Sequence, residues 1–480
     1  MEYLIDSYVF RYLPFTICQN TRKNIILVVM KIVTIADWLC KARELQPSIE
    51  NHPTLVIAES IYSMLFLLSF CCALRNGSRY VYTWVGVYLL AFFTESMKFV
   101  DGSINVVFHS QTILTFMGMR TPLYLLCGIY HTLFYTSYVI VKRIRLQWWG
   151  EAAANGLVVL LLSLPLQIMG TKLLWWQWYD GDPRLISTFY AVPLVVLAWY
   201  AMLGASFNFT LYLFRKRFLR ERYDWKRFVA EFFCVVGAAL LALCLATLQY
   251  AIFFHVLHEI FRIHSAFSLA LLLIIYLAAS LKALLSSRME YDLYNTVRKD
   301  LLVEVRLNGK QIHVLAELSG IVAIHFLFHM LLAVFGSSEN IVSEGIYQAI
   351  GSCNEVEQIF SPFGLVLYRK KYFCIEQQQQ KLFDFHCILD GQLPRVVDNE
   401  PLEYYAICGT SFENRIEYIA FIWIYCVMVL FVINYATFSC VIKINKPKAH
   451  SYIKTIQHND HKCGFTSSKD LRLRKKKNRE

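Results

Sequence analysis

The stretch Phe228–Leu257, FVAEFFCVVGAALLALCLATLQYAIFFHVL, carries one formally charged side chain, that of Glu231. A helix needs about 20 mostly apolar residues to cross the roughly 30 Å hydrocarbon core of a bilayer. Nine stretches meet that requirement: Thr54–Leu74, Tyr80–Val100, Thr121–Val141, Glu151–Gly170, Thr188–Phe214, Phe228–Leu257, His264–Leu285, Leu318–Phe335 and Tyr418–Val441. Because unpaired backbone groups are costly in hydrocarbon, each stretch predicts a helix. We therefore predict an all-α fold, a polytopic transmembrane bundle of about nine spanning helices.

Two other segments are too short or too polar to span. Ile104–Met119 contains His109 and Gln111, and we predict that it is re-entrant or interfacial. Asn24–Cys40 is short and interrupted by two charged residues, which favours an amphipathic helix lying on the membrane. The composition, 57% hydrophobic against 17% charged over 480 residues, agrees with a membrane protein.

Basic residues between the apolar stretches indicate the orientation. Lys and Arg are concentrated around Lys142–Arg145, in Arg215–Arg227, in Arg288–Lys310 and after Val441. By the positive-inside tendency, these segments face the cytoplasm. Nine crossings satisfy all four segments, with an extracytoplasmic N-terminus and a cytoplasmic C-terminus. The net charge of +12 then favours anionic lipid headgroups as partners of the basic tail, rather than nucleic acid.

The predicted topology divides the chain into five parts. These are an N-terminal extracytoplasmic or interfacial segment (1–53), an eight-helix membrane bundle (54–335), an extracytoplasmic loop (336–417), a last transmembrane helix (418–442) and a basic cytoplasmic tail (443–480). The loop contains Cys353, Cys374, Cys387 and Cys408. An even number of cysteines facing an oxidising compartment predicts two disulfides, and three pairings are open. The alternative is four free thiols.

Ionisable side chains gather towards the extracytoplasmic ends of the predicted helices. Such residues in a membrane mark functional sites by default. As acid–base candidates we take Glu95, Asp180 and Asp182. As binding candidates we take Glu59, His109, Gln111, Arg120 and Arg184. We predict that eight of the ionisable residues line one cavity that opens to the outer leaflet: Glu59, Glu95, His109, Arg120, Asp180, Asp182, His255 and His258.

Several of these residues also have structural explanations. Glu95 and Lys98 lie three apart on a helix and can neutralise each other. Asp182-Pro183 is a common way to start a helix, here the fifth span. The tryptophans of Trp175–Trp178 are typical of an interfacial aromatic belt.

The segment HVLHEIFRIH, from His255 to His264, is the candidate metal site. His255, His258 and Glu259 share one helical face, and imidazole and carboxylate groups at that spacing suit zinc or another divalent metal. We take His255, His258 and His264 as the candidate ligands. The alternative is a polar interfacial turn. A further pair, His325 and His329, is spaced for a metal or for hydrogen bonds between helices.

Five motifs carry a family resemblance. They are TESMKFVDG (Thr94–Gly102), VFHSQ (Val107–Gln111), GMRTPLY (Gly118–Tyr124), LPLQIMGTKLLWWQWYDGDP (Leu164–Pro183) and CGTSFENRIEYI (Cys408–Ile419). In this order the chain resembles an uncharacterised family of multi-pass membrane proteins from invertebrates and protists, catalogued as a domain of unknown function. The resemblance implies a histidine before the first aspartate of the tryptophan-rich motif, where this chain has Tyr179.

A membrane glutamate followed by W-x-W and F-Y-x-V-P-L-x-x-x-x-W is also similar in layout to the carotenoid hydratases, which act on isoprenoids within the bilayer. This likeness implies a membrane-embedded enzyme with a lipid or isoprenoid substrate, and a small lipid is then a candidate ligand. The alternative is a non-catalytic transporter, channel subunit or receptor-like scaffold. No Gly-rich phosphate loop, nucleophile elbow or kinase signature is present in the sequence.

Overall fold

The computed structural model describes residues 18–220, 223–297, 309–360, 366–374, 382–388, 391, 394 and 401–442. Side chains are not described at 103, 288–297, 309–316 and 438–442. The predicted basic tail 443–480 and the first 17 residues of the predicted N-terminal segment lie outside the described residues.

The described part of the chain is mostly helical. Its α-helices are α1 (Gln19–Leu39), α2 (Leu45–Asn51), α3 (Pro53–Asn76), α4 (Ser78–Val100), α5 (Thr136–Ile144), α6 (Trp148–Lys172), α7 (Leu194–Phe218), α8 (Phe228–Tyr250), α9 (Ser265–Val297), α10 (Gly309–Phe335) and α11 (Arg415–Ile442). Wider π-helical turns precede α5 at Leu125–Ile129 and His131–Tyr135 and follow α8 at Ala251–Ile260.

Seven helices in the described residues are long and apolar enough to span a membrane. They are Pro53–Asn76, Trp148–Lys172, Leu194–Phe218, Trp225–Ile260, Ser265–Ser287, Glu317–Phe335 and Arg415–Thr437. The prediction of a mostly helical chain with several helices able to span a membrane is confirmed, whereas the number of nine spans stays a prediction. Of the other two predicted spans, Tyr80–Val100 falls within α4, and Thr121–Val141 is divided between a short strand, the π-helical turns and α5.

The two central helices, α6 and α7, approach closely because small residues face each other. A Cβ added to Gly156 would lie 2.6 Å from the carbonyl oxygen of Ala201, and one added to Gly204 would lie 2.7 Å from Val159. Asn155 Nδ2 also donates to the Gly204 carbonyl at 2.8 Å. Small residues and interhelical hydrogen bonds are the usual means of holding helices together in a membrane. In each of these two helices, about 72% of the residues in the apolar stretch are buried.

Short strands correct the all-α prediction. They are β1 (Cys40–Ala42), β2 (Val107–His109), β3 (Leu114–Phe116), β4 (Thr121–Pro122), β5 (Trp176–Trp178), β6 (Thr188–Phe189), β7 (Val192–Pro193), β8 (Val342–Ile350), β9 (Val356–Phe360), β10 (Val366–Lys370), β11 (Phe383–Asp384) and β12 (Leu402–Gly409). We call β8–β12 and their connections the cap. It consists of the sheet β11-β12-β8 and the hairpin β9-β10.

The segment Ile104–Met119 forms strands β2 and β3, so the re-entrant or interfacial prediction did not anticipate its extended backbone. Strand β2 pairs with β5 of the tryptophan-rich motif, and a bridge from Ser110 to Gly345 connects it to the cap. The predicted fifth span likewise begins later than expected. Tyr190 and Ala191 have positive φ and connect β6 to β7, so α7 starts only at Leu194.

Two disulfides cross-link the cap, as predicted. They join Cys353 to Cys374 and Cys387 to Cys408, with Cα–Cα distances of 5.7 and 5.8 Å. Each distance lies within the range that a disulfide requires. The structure thereby selects one of the three pairings that the sequence left open.

The bundle has two chemically different ends. Helix α3 starts beside the cap, where the His52 ring contacts the Leu174 carbonyl, and ends 24 residues later at Asn76. At 1.5 Å per residue the helix is roughly 36 Å long, enough to separate two membrane faces. Asn76 accepts a hydrogen bond from Arg143 at 2.6 Å, and Arg79 follows in α4. We call this end of the bundle, opposite the cap, the basic end.

Candidate functional site

The tryptophan-rich motif, Leu164–Pro183, ends α6, and its second part, Trp175–Pro183, lies between the bundle and the cap. Trp175 is fully buried and stacks on Phe328, with ring centroids 6.0 Å apart. The indole N–H groups of Trp176 and Trp178 both donate to Thr171 Oγ1, at 3.1 and 3.2 Å. Trp175 and Trp176 are therefore core residues, and the interpretation as an interfacial belt is wrong for these two.

The backbone just before the tryptophans of the motif forms a polar centre that the sequence did not indicate. Leu174 ends the turn after α6 with a φ of 54°, and its carbonyl accepts from Ser110 Oγ, from Ser343 Oγ at 3.1 Å and from His52 Nε2 at 3.3 Å. Ser343 also hydrogen-bonds Tyr347 at 2.7 Å. Burial lowers the pKa of His52 to about 4, although its backbone hydrogen bonds oppose the shift. The imidazole is therefore neutral at physiological pH.

Asp182 is held by two arginines. Its carboxylate accepts from the Arg184 backbone N–H at 2.9 Å and from the Arg184 guanidinium at 3.0 and 2.6 Å, which caps the short turn Pro183–Leu185. Arg369 of the cap donates to it at 3.4 Å. The exposed fractions of the Asp182 and Arg369 side chains are 0% and 5%. Burial by itself raises the pKa of Asp182, but the hydrogen bonds and charge of Arg184, with the charge of Arg369, bring it below its ordinary value.

Arg369 extends this contact into the cap. Its guanidinium pairs with Glu357 of β9 and lies 3.9 Å from the centre of the Tyr179 ring. The Tyr179 hydroxyl donates to Glu357 Oε1 at 3.0 Å and to the Lys371 carbonyl at 3.1 Å. We call Asp182, Arg184, Arg369, Glu357 and Tyr179 the motif–cap network. Tyr179, which stands where the resemblance implies a histidine, therefore connects the motif to the cap.

Arg369 and Glu357 were not among the predicted site residues. Basic residues such as the triplet Arg369-Lys370-Lys371 are no signal in this predicted loop, because a loop as long as 336–417 is exempt from the positive-inside tendency.

Asp180 is positioned through its backbone. Its N–H donates to Gln348 Oε1 at 2.7 Å, and Gln348 Nε2 donates back to its carbonyl at 3.3 Å. Gln348 belongs to β8, so the motif and the cap are connected here a second time.

Glu95 has the partner that its structural explanation predicted, Lys98, and a second partner that was not predicted, Tyr130. Lys98 Nζ donates to its carboxylate at 2.6 Å, one turn along α4. The hydroxyl of Tyr130 donates to the other oxygen at 3.1 Å. This acidic side chain is therefore neutralised and hydrogen-bonded within the bundle.

Glu59 and Gln111 share a small cavity with Arg43 and Glu344. Its volume is about 10 Å³, room for roughly one water, whereas ligand sites usually measure about 300–1,000 Å³. The Glu59 carboxylate accepts from the Ile113 N–H at 3.2 and 3.3 Å, and Gln111 donates to the Met119 carbonyl at 2.7 Å. The two side chains thus support the chain around β3.

His109 and Arg120 lie in different surroundings. His109 is buried against Trp176, and its two ring nitrogens have no hydrogen-bond partner among the described residues. Burial, and then the charge of Lys98, lowers the pKa of His109 well below its ordinary value. Arg120 is exposed and forms a 3.5 Å ion pair with Glu403, also exposed.

The three predicted metal ligands make separate contacts. His255 pairs with Glu259, His258 Nδ1 donates to the Ile263 carbonyl at 2.7 Å, and His264 accepts from the Ala266 N–H at 3.2 Å. Within the described residues they do not form a group close enough to share one ion.

The group that does meet this spacing is Asp384, His386 and Cys408. Cys408 is disulfide-bonded, so it offers no thiolate. We therefore do not assign a metal to it.

His325 and His329 connect helices through hydrogen bonds. His325 Nε2 donates to the Leu162 carbonyl at 2.9 Å, which leaves its Nδ1 to accept from the Tyr62 hydroxyl at 3.2 Å. His329 Nε2 then donates to the Tyr62 oxygen at 3.0 Å. The proton positions follow from the carbonyl, which can only accept. This order joins α3, α6 and α10, and it matches the alternative of interhelical hydrogen bonds.

Comparison with known proteins gives one match. A family model described as a domain of unknown function, DUF7802, matches residues 1–439. No curated protein and no solved structure matches the chain. The layout shared with carotenoid hydratases therefore has no support beyond the residues quoted above.

Proposed function

Because the chain belongs to the DUF7802 family, whose description assigns no activity, we propose its function from its own contacts. We propose a non-catalytic, multi-pass membrane protein, receptor-like or scaffold-like, whose helices hold a disulfide-linked cap at one membrane face. One observation carries the proposal. Asp182, one of the three acid–base candidates, has a fully buried carboxylate that pairs with the neighbouring Arg184 and with Arg369 of the cap, and the pair with Arg369 joins the motif to the cap.

A general acid or base has to reach a substrate and exchange a proton near the working pH. Asp182 has a lowered pKa and no exposed surface. Glu95 is occupied by Lys98 and Tyr130. The small volume beside Glu59 suits water rather than a lipid. These features favour a structural role for Asp182 and Glu95, two of the three predicted catalytic carboxylates.

Contacts from several elements support a cap that is fixed to the bundle. Arg43, which follows β1, pairs with Glu344 of β8. Lys172, at the end of α6, donates to the Ser411 carbonyl at 3.0 Å. Arg415 of α11 donates to the Val334 carbonyl of α10 at 2.7 Å, which joins the two helices that flank the cap in the sequence. The Arg43–Glu344 pair and the motif–cap network thus attach the cap itself, while Lys172 and Arg415 hold the chain just outside it.

The same proposal includes an orientation. Disulfides persist in oxidising compartments, which favours an extracytoplasmic cap and N-terminus. The positive-inside tendency favours a cytoplasmic basic end and C-terminus, with the basic tail near anionic headgroups.

The test compares lipid turnover with stability. Cells expressing the wild-type chain, Glu95→Gln, Asp182→Asn or the exposed control Glu403→Gln are extracted, and their lipids and isoprenoids are profiled by mass spectrometry. The melting temperature of each purified protein is measured in detergent. We expect identical lipid profiles, and a lower melting temperature for Asp182→Asn than for Glu403→Gln.

The opposite pattern supports the enzyme. A lipid product that requires the wild-type chain, disappears in Glu95→Gln and Asp182→Asn at unchanged melting temperatures, and persists in Glu403→Gln overturns the proposal.

A further inference from the structure

The basic end contains a cavity of about 410 Å³ between the start of α4, the end of α5 and the last turns of α7. This volume lies in the range of small-molecule sites. Its charged lining is entirely basic, and consists of Arg79, Lys142, Arg215, Lys216 and Arg220. We call it the basic pocket.

Two carboxylates that do not line the pocket, Glu231 and Glu151, hold some of its basic side chains in place. Glu231 accepts from Arg79 Nε at 3.0 Å and lies 3.9 Å from Arg215 Nε. Glu151 pairs with Lys142. These pairs orient three of the five cations.

The other two cations are not held by a carboxylate of the described residues, and Lys216 lies 5.5 Å from the centre of the Tyr212 ring. Within the described residues, no carboxylate lies within 4.0 Å of Lys216 or Arg220. Both side chains are exposed on the last turn of α7 or just beyond it. The pocket thus retains positive charge that no carboxylate of the described residues neutralises.

A second observation points to a ligand. Asn208 lines the same pocket, and its exposed fraction is 1%. Both its Nδ2 and its Oδ1 are buried without a hydrogen-bond partner among the described residues. Leaving a buried polar group unpaired costs about 1–3 kcal/mol, so an amide with two unpaired ends calls for an external partner.

We propose that the basic pocket binds the phosphate ester of a polyol. Phosphate oxygens accept charge-assisted hydrogen bonds from lysine and arginine, which matches the charged lining. A hydroxyl of the polyol donates to Asn208 Oδ1, and a ligand oxygen accepts from Nδ2. An inositol phosphate has both groups, either as a lipid headgroup or as a free molecule. Basic pockets between helices at the cytoplasmic face are a known setting for such headgroups.

Cations at helix ends often serve only the positive-inside asymmetry. That explanation accounts for the charge, but not for a buried amide with no partner or for a cavity of this volume. It also predicts that neighbouring basic residues contribute equally to the binding of an anion. Arg217 tests this point, because it lies between the lining residues on the same helix, does not line the pocket, and rests against the Phe218 ring.

The test uses the full chain in nanodiscs. Calorimetry measures binding of soluble inositol trisphosphate, and native mass spectrometry measures retention of phosphatidylinositol bisphosphate against a phosphatidylcholine background. We expect Lys216→Gln and Arg220→Gln each to weaken binding about fivefold, the usual effect of one basic residue near an anionic headgroup. Arg217→Gln, with the same charge change, is the control and keeps wild-type affinity.

Asn208→Leu separates binding from folding. It removes the unpaired amide, so we expect binding to fall at least fivefold while the melting temperature holds or rises. Binding of the soluble probe assigns a free phosphate ester as the ligand, and retention of the lipid alone assigns a headgroup. The absence of both, or equal losses in Arg217→Gln and the lining variants, overturns the proposal.

Discussion

A carboxylate buried between two guanidinium groups keeps its charge over a wide range of pH. Asp182 is such a group. Burial alone raises its pKa, but Arg184 and Arg369 together lower the pKa by more than burial raises it. Buried ion pairs of this kind are costly to break, because the remaining charge has no water to solvate it. The residue thus stabilises one arrangement of the motif against the cap.

His52 gives a prediction about acid stability. Its pKa falls from an ordinary 6.5 to about 4 in the folded protein, mainly because it is buried. The unfolded chain binds the extra proton first, so stability is complete above pH 6.5 and is lost as the pH falls towards about 4. The shift corresponds to roughly 3 kcal/mol. The unfolding free energy of the purified protein should therefore fall between these pH values.

A matched pair of variants checks the source of this loss. His52→Gln keeps a donor for the Leu174 carbonyl but does not titrate, so its stability should fall less over that window. His386→Gln changes an exposed imidazole and is the control. Equal pH profiles for His52→Gln and the wild-type chain would reject the explanation. The stability that Asp182 contributes is lost at lower pH than that of His52, because it is lost only below the ordinary carboxyl pKa.

At the scale of single residues, the sequence predicts contacts between residues that are close to each other along the chain. The spacing of Glu95 and Lys98 indicated their pairing. The sequence Asp182-Pro183 indicated the N-terminus of a helix, but the Asp182 side chain is the N-cap of the short turn Pro183–Leu185 rather than of the fifth span. Arg369 lies 187 residues from Asp182 along the chain. Periodicity and spacing carry no information on such a pair, which depends on how the cap folds back onto the motif.

Among the elements, the π-helical turns before α5 lie very close to α3. A Cβ added to Gly128 would lie 2.5 Å from the Tyr62 Cβ and 2.7 Å from its carbonyl oxygen. Backbone atoms cannot move aside cheaply, so we expect Gly128→Ala to lower the unfolding free energy by about 1–3 kcal/mol. Gly320→Ala in α10 meets no atom within 4 Å and is the control. Equal melting temperatures for the two variants would contradict this packing.

The cap strands lead to a prediction about the disulfides. Each disulfide joins cysteines 21 residues apart. Loop closure of that length contributes roughly 3 kcal/mol. We expect Cys353→Ser with Cys374→Ser, and Cys387→Ser with Cys408→Ser, to lower the melting temperature of the cap. Non-reducing mass spectrometry of the wild-type chain should find these two linkages, and other pairings would refute the arrangement.

Hydropathy predicted the long helices because an apolar run of that length matches the thickness of the hydrocarbon core when it is helical. It did not predict the strands of Ile104–Met119, because a three-residue strand is stabilised by its partner rather than by its own composition. The partner of β2 is β5, in the tryptophan-rich motif nearly 70 residues later. The late start of α7 was missed for a similar reason, since the turn at Tyr190 and Ala191 has no glycine to signal it.

For the whole molecule, the separation of the cap from the basic end predicts opposite exposure to glycosylation. Asn76-Gly77-Ser78 is a sequon at the basic end, where the Asn76 amide is bonded to Cys72 and Arg143. Val356→Thr creates a sequon at Asn354 in the cap. In a secretory-pathway expression assay, we expect a glycan on Asn354 and none on Asn76. The reverse pattern would invert the proposed orientation.

The central claim is that Asp182 stabilises the attachment of the cap rather than performing chemistry. A double-mutant cycle of Asp182→Asn and Arg369→Gln tests it most directly, with unfolding free energies measured by denaturant titration in detergent. The exposed pair Arg120→Gln and Glu403→Gln is the control, for which about 0.2–1 kcal/mol is usual. We predict a coupling of about 2 kcal/mol between Asp182 and Arg369. Effects that add to within about 0.5 kcal/mol would contradict the account.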